Sequence, residues 1–223
     1  MPNRLEGDLK VTGALVAGSM AIPSGAVNNA AVAGDAAISR SKLAQDALAI
    51  YPLPLQDFRV WDDVPTTLQS TSDASADDLA MVGGTFGTAP PLLQSGDVKA
   101  AGSVSKFARI TWTVPPEFDE GETLQVRVRS AVLTTVADSS AAVDVVAYIN
   151  DGDGGLSADM IATVEQDTND LAYADHDFSL STSILTRGDK VDMRIALNLN
   201  DAASGTTVRG SISEVSLLMD VRG

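Results

Sequence analysis

The sequence predicts an all-β protein: an antiparallel, jelly-roll-like β-sandwich knob carried behind an extended N-terminal arm with little helix. Three observations lead there. At least five segments beyond residue 100 alternate apolar and polar residues with period two, bounded by Gly, Asp, Ser or Pro, the pattern of half-buried antiparallel strands. All the aromatic residues (two Trp, three Tyr, five Phe) lie at Tyr51 or later. The formal charge of −15 also falls wholly beyond residue 50, because Arg4, Lys10, Arg40 and Lys42 balance Glu6, Asp8, Asp35 and Asp46. The chain therefore divides into an arm, 1–50, a Pro-rich linker, 51–57, and a knob, 58–223.

The arm opens with "GDLKVTGALVAGSM", residues 7–20, which alternates Leu9, Val11, Leu15 and Ala17 against Lys10, Thr12, Ala14 and Val16. Extended, residues 9–22 reach roughly 45 Å at ~3.3 Å per residue. A lone strand of that length exposes unpaired edges on both sides. Twelve alanines and no aromatic residue in 1–50 cannot offset the entropy of ordering a core of their own. The arm is thus expected to pack on sister copies or a partner protein. A threefold arrangement would pair the edges, with Gly13 and Gly18 allowing close backbone approach. "IPSG", 22–25, reads as a turn, and Ser39–Ala49 as a short helix capped by Ser39. In "YPLPLQDF", 51–58, two prolines force extended backbone, which predicts a stiff linker.

The knob strands follow in order. "FARITWTV", 107–114, directs Ala108, Ile110, Trp112 and Val114 inward. "LQVRVRS", 124–130, directs Leu124, Val126 and Val128 inward and Gln125, Arg127 and Arg129 outward. "VDVVAYI", 143–149, aligns Val143, Val145, Ala147 and Ile149. "VDMRIALNL", 191–199, aligns Val191, Met193, Ile195, Leu197 and Leu199. "VSLLMDV", 215–221, aligns Val215, Leu217, Met219 and Val221. Less regular strands are expected at 58–61, 79–86 and 176–182, and a short helical turn near 73–80. About eight strands suit a jelly roll.

The residues also exclude functions. The chain has no cysteine, which removes disulfides and thiolate metal sites. No 18-residue apolar run marks a membrane span, and "MPNRLEGDLK" lacks the hydrophobic stretch of a Sec-type signal. The acidic balance argues against nucleic acid, whose binding rests on phosphate neutralisation. His176 is the one histidine, so a histidine-dependent nucleophilic site would have to use it. Flanked by Asp175 and Asp177, it is expected at the surface, because neighbours in a strand face opposite ways.

Four motifs have plain readings as loops or core. "TRGDK", 186–190, is a turn before the strand at Val191. "NDGDGG", 150–155, is a glycine-rich loop; Asp151, Asp153 and Asp159 are at most weak Ca²⁺ candidates, because Ala162 stands where an EF-hand loop needs its last carboxylate. Adjacent acids at Asp62–Asp63, Asp77–Asp78 and Asp119–Glu120 read as solvated corners, with nothing to mark a glycosidase pair. Trp112 falls on the apolar parity. Trp61, in "FRVWDD", is the candidate ligand platform, with Tyr173 beside it as the other exposed aromatic of interest.

"GDLKVTGALVAG" resembles the G-D-L-x-V-T-G strand units of phage fibre and other virion appendage proteins. "IPSGAVNNAAVAGDAAISRSKL" is similar to the arm that precedes the β-sandwich knob in head-fibre and capsid decoration (cement) proteins of tailed bacteriophages. The resemblance covers residues 5–48. It implies a non-enzymatic structural protein, a homotrimer fixed to the outside of a virion through a major capsid protein or another virion protein, with neither membrane, nucleic acid nor cofactor required. On this reading Leu9, Val11, Gly13, Leu15, Ala17, Gly18, Ile22, Val27, Val32, Ile38 and Leu43 carry trimerisation and attachment. The alternative is a phage tail fibre or a receptor- or carbohydrate-binding module; a depolymerase is a third class.

Overall fold

Strict alternation turns five long segments into strands because one parity can be buried only against a second sheet. The computed structural model describes residues 48–70, 77–83, 86–98, 101–133, 140–150, 152–201 and 207–221. The arm, with every attachment residue from Leu9 to Leu43, and the helix expected at Ser39–Ala49 as far as residue 47 lie outside the described residues, as does the first half, 73–76, of the helical turn expected at 73–80; the second half is not helical, with Asp78 bridged to Phe107 and Ala80 in a strand.

Among the described residues the strands are β1 (Ala49–Pro52), β2 (Ala80–Val82), β3 (Leu92–Gln94), β4 (Gly102–Thr113), β5 (Leu124–Val132), β6 (Ser140–Asn150), β7 (Gln166–Asp167), β8 (Ala174–Ser179), β9 (Lys190–Asp201) and β10 (Gly210–Met219). The helical content described is two short 3-10 turns, Leu55–Asp57 and Thr182–Ile184. One sheet runs β1-β10-β5-β8, with β3 and then β2 added beside the other half of β10; the second runs β4-β9-β6-β7. All these pairings are antiparallel. The pairs β1·β10, β4·β9, β5·β8 and β6·β7 nest inside one another in the sequence and alternate between the sheets. That is the eight-strand jelly roll, with β2 and β3 as an insertion after β1.

The core forms where the inner parities meet. Ala108, Ile110 and Trp112 of β4, Val143, Val145 and Ala147 of β6 and Val191, Met193, Ile195 and Leu197 of β9 face Leu124, Val126 and Val128 of β5 and Val215, Leu217 and Met219 of β10. Phe58, Phe118 and Phe178 are fully buried among them. β10 carries a bulge between Ile212 and Glu214. The extra residue lets Ile212, of even number, and Val215, of odd number, both point inward, so this strand begins earlier than its alternation predicts.

The expected linker and the expected surface histidine are corrected first. The segment expected as a linker, 51–57, is part of the sandwich. Residues 49–52 pair with Met219–Ser216, the Leu53 amide donates to the Val215 carbonyl at 2.9 Å, and Leu55 is buried. Pro52 is compatible because β1 is an edge strand, where a missing N–H costs no ladder bond. His176 lies inside, not on the surface. It is opposite Val128 on the parity of Phe178, while Asp175 and Asp177 point outward to Arg129 and Arg127.

The stretch expected as a strand at 58–61 instead covers the outer edge of β4. Arg59 exchanges backbone hydrogen bonds with Arg109 at 2.8 and 3.1 Å, and below it the Leu79 amide donates to the Phe107 carbonyl while the Phe107 amide donates to the Asp77 carbonyl. This cover both blunts the edge and places Trp61 over the sheet.

Candidate functional site

The outward face of the β4-β9-β6-β7 sheet presents five cross-strand rows, set by register alone: Thr111–Asp192–Tyr148, Arg109–Arg194–Val146, Phe107–Ala196–Asp144, Ser105–Asn198–Ala142 and Ser103–Asn200–Ser140. The first three rows are aromatic and charged; the last two are small hydroxyls and amides.

Trp61 reaches the upper rows from the loop beyond β4. Its ring lies 5.2 Å from that of Phe107, tilted by 56°, within the favourable range for an aromatic pair. Its Nε1 donates to Asp77 Oδ2 at 3.1 Å, which fixes the indole's azimuth. The Arg194 guanidinium sits 4.6 Å from the Phe107 ring centre and 5.4 Å from that of Trp61, so the two rings hold the cation by their faces. Arg109 donates twice to Asp192, from Nε to Oδ1 at 2.6 Å and from Nη2 to Oδ2, and once to the Trp61 carbonyl at 3.3 Å. The Asp192 hydrogen bonds hold the Arg109 guanidinium above its ordinary pKa, against the opposing effect of burial. Trp61, Tyr148 and the half-exposed Leu156 enclose a pocket of about 250 Å³ floored by Arg109, Asp192 and Arg194.

The lower rows open into a polar groove of about 650 Å³. Here Ser105 Oγ donates to Asn198 Oδ1 at 2.7 Å, Asn198 Nδ2 donates to Glu165 Oε2 at 2.9 Å, and Ser103 Oγ donates to Asn200 Oδ1 at 3.2 Å. Between pocket and groove stands Asp144. Burial raises its pKa, helped by Glu165 and Asp159 and opposed by the Val145 amide and Arg194.

Of the described residues singled out by sequence, the structure brings Trp61 to this face, with Asp62 beside it in the pocket lining and Asp77 holding its indole. Trp112 is core, as expected. Tyr173 donates its hydroxyl to Ser211 at 2.9 Å, away from this sheet. Of the calcium candidates, Asp159 Oδ1 accepts the amides of Ala147 and Ile161 at 3.1 and 3.0 Å, Asp153 Oδ1 accepts that of Gly155 at 3.1 Å, and Asp151 lies outside the described residues. The Asp153 and Asp159 carboxylates shape loops. The Arg-Gly-Asp sequence is a turn, with Gly188 at φ +86°, Arg187 paired with Glu120 at 2.8 Å and Asp189 accepting the Thr186 amide. Among the acidic neighbours, Asp63 accepts the Thr66 hydroxyl, whereas Asp78 is buried rather than a solvated corner.

Sequence reasoning missed Phe107, Tyr148, Arg194 and Asn198. One signal was present: Phe107 and Tyr148 are aromatic residues on the polar parity of their strands, where burial in the core cannot explain them.

No family model matches the chain, and no curated protein matches it. Solved structures with a similar course include the CBM22-1 xylan-binding domain from Paenibacillus barcinonensis Xyn10C (13% identity, TM-score 0.41, 78% of this chain and 94% of that one). Others are the xylan-binding module CBM15 (10%, 0.36, 79% and 99%) and a structure of infectious bursal disease virus Gt strain (9%, 0.32, 78% and 56%). At these values the likenesses carry no argument about what this chain binds.

Proposed function

We propose that the chain is a non-enzymatic structural protein of a tailed-phage virion, a homotrimeric capsid decoration or head-fibre protein. The N-terminal arm is the trimerisation and attachment element, anchored on a major capsid protein or another virion protein, and the acidic jelly roll projects from the exterior surface. The observation that carries this reading is the division of the chain. The jelly-roll topology is complete from Ala49 onward, yet it is preceded by a long neutral segment with no aromatic residue. Such a segment gains order by assembling with other chains. The acidic knobs then repel one another and keep crowded copies apart.

Sedimentation equilibrium tests it. The full chain should have a trimer's mass at micromolar concentration. A chain lacking residues 1–47 should be a monomer that melts cooperatively, as a folded domain does, and should no longer bind the virion. A monomeric full chain would overturn the reading. A truncated chain that still docks would move the attachment surface into the sandwich. Removing residues 1–57 instead should unfold the domain, because β1 and the buried Leu55 go with them.

A second reading, that the knob is a receptor- or carbohydrate-binding module, is favoured by the juxtaposition of Trp61, Phe107 and Arg194 beside a hydroxyl- and amide-lined groove. The two readings are compatible, since arm and sheet face are different parts of the chain.

A further inference from the structure

We infer that the outward face of β4-β9-β6-β7 binds a neutral polysaccharide chain, with one sugar ring in the Trp61–Tyr148 pocket and the following rings along the Asn198 groove. This rests on the carbohydrate-binding reading of the knob and names its site and ligand class.

Chemical fit comes first. A pyranose has apolar C–H faces and a rim of hydroxyls, so its site needs an aromatic wall and a few fixed donors and acceptors. Trp61 and Tyr148 are the walls, and the Arg109–Asp192 pair and Arg194 form a floor of donors and acceptors. These groups are already oriented: Trp61 by Asp77, Arg109 by Asp192, Arg194 by two rings. Binding therefore orders few side chains. From Asp192 to Asn200, β9 runs about 26 Å at ~3.3 Å per residue, room for several linked rings. In the lower rows Ser105, Asn198 and Glu165 form a pre-paired relay whose remaining lone pairs and N–H groups are suited to hydroxyls.

Charge selects the class. Arg109 is matched by Asp192, and Arg194 has Asp144 within its field. Glu165 and Asp167 line the groove, in a protein of net charge −15. A polyanionic glycan would be repelled. An extended peptide is the other ligand of a sheet, but it binds by adding a strand to an open edge. Here the β4 edge is occupied by Arg59 and by residues 77–79.

The test is affinity electrophoresis of the full chain through gels containing xylan, mannan or dextran, with alginate and hyaluronan as charged counterparts. At least one neutral polymer should retard the protein. Trp61→Ala should weaken retardation at least tenfold and Asn198→Ala several-fold, while Glu214→Ala on the opposite sheet should change nothing. Thermal melts show whether Trp61→Ala remains folded, and Asn198→Ala, at a half-exposed position, reports independently. Retardation by charged polymers alone would overturn the ligand class and leave the carbohydrate-binding reading standing. Neutral retardation undiminished in both variants would overturn the site. Retardation by none of the polymers would overturn both.

Discussion

The two sheets of this jelly roll share one core and present opposite chemistry to solvent. On the β1-β10-β5-β8 face, charges sit in cross-strand ladders. Arg127 donates to Asp177 at 2.7 and 2.8 Å, Arg129 to Asp175 at 2.8 Å, and Gln125 to Ser179 at 3.2 Å. Each group is answered by its directly opposite neighbour, which fixes register. On the β4-β9-β6-β7 face Ser105–Asn198 and Ser103–Asn200 are also direct cross-strand pairs, but the charged groups find partners that are diagonal or come from loops: Arg109 with Asp192, Arg194 with Trp61 and Phe107, Glu165 with Asn198. A face whose charges are resolved by their opposite neighbours leaves few groups poised toward solvent. A face with Arg194 stacked on two rings and the Asn198 amide relayed to Glu165 holds its groups in place while leaving a groove open above them.

The sharpest way to break this comparison is to remove one carboxylate from each face. Asp192 has a 12% exposed side chain and Asp177 a 35% exposed one. Asp192→Ala should cost about 2–3 kcal/mol, because it strips a half-buried guanidinium of two charged hydrogen bonds. Asp177→Ala should cost about 1 kcal/mol or less, as exposed pairs do. Urea midpoints with an unchanged m-value would measure both. Equal losses would mean that the two faces are energetically alike.

A smaller effect concerns the rings. A double-mutant cycle between Trp61 and Phe107 should return a coupling of about 0.5–1.5 kcal/mol. The corresponding cycle between Gln125 and Ser179 should return the lower end of the ~0.2–1 kcal/mol range for cross-strand pairs. Arg194→Ala should shrink the aromatic coupling if the cation helps to hold the rings together.

How much of this was legible in the sequence depended on how local the determinant was. The inner parity of β4, β5, β6 and β9 followed from alternation, because one face of each strand must be dry. β1 was hidden by Pro52 and Pro54, which read as a linker, because its pairing with Met219–Ser216 of β10 joins residues far apart in the chain. The bulge in β10 was hidden because it swaps parity within a strand. His176 was readable in retrospect, since it shares parity with Phe178 and Leu180, both buried, whereas its acidic neighbours drew attention to solvent. Trp61 was recognisable as an anomaly. Its convergence with Phe107 and Arg194 was not, because it depends on Arg59 docking on the β4 edge, a contact between residues far apart in the chain.

The subtlest difference between the faces is in their response to acid. Hydrogen bonds from Arg127, and its charge, hold Asp177 below the usual carboxylate range. Its contribution to stability is therefore fully present above the unfolded value of about 4 and is lost as pH falls through the lowered folded value. Asp144 is shifted the other way, chiefly by burial. The folded state then takes up its proton more readily than the unfolded state, so Asp144 favours folding at low pH, and that contribution is lost as pH rises through its raised folded value. Asp177→Asn should thus lower the melting temperature near neutrality and flatten the fall in stability below about pH 4. Asp144→Asn should raise the melting temperature near neutrality and gain nothing in acid. The buried His176 adds a shared background, because desolvation lowers its pKa against the pull of Asp175, Asp167 and Asp177. Stability should begin to fall as pH drops below the unfolded histidine value of about 6.5, in Asp144→Asn as in the wild type; Asp177→Asn removes one of the carboxylates that pull the imidazole pKa up and should deepen that fall. Melting temperatures of the two variants compared with wild type well above about pH 6.5, where the histidine is neutral in both states, isolate the carboxylates. If the two Asn variants shifted in the same direction at neutral pH, the opposite electrostatic design of the two faces would be disproved.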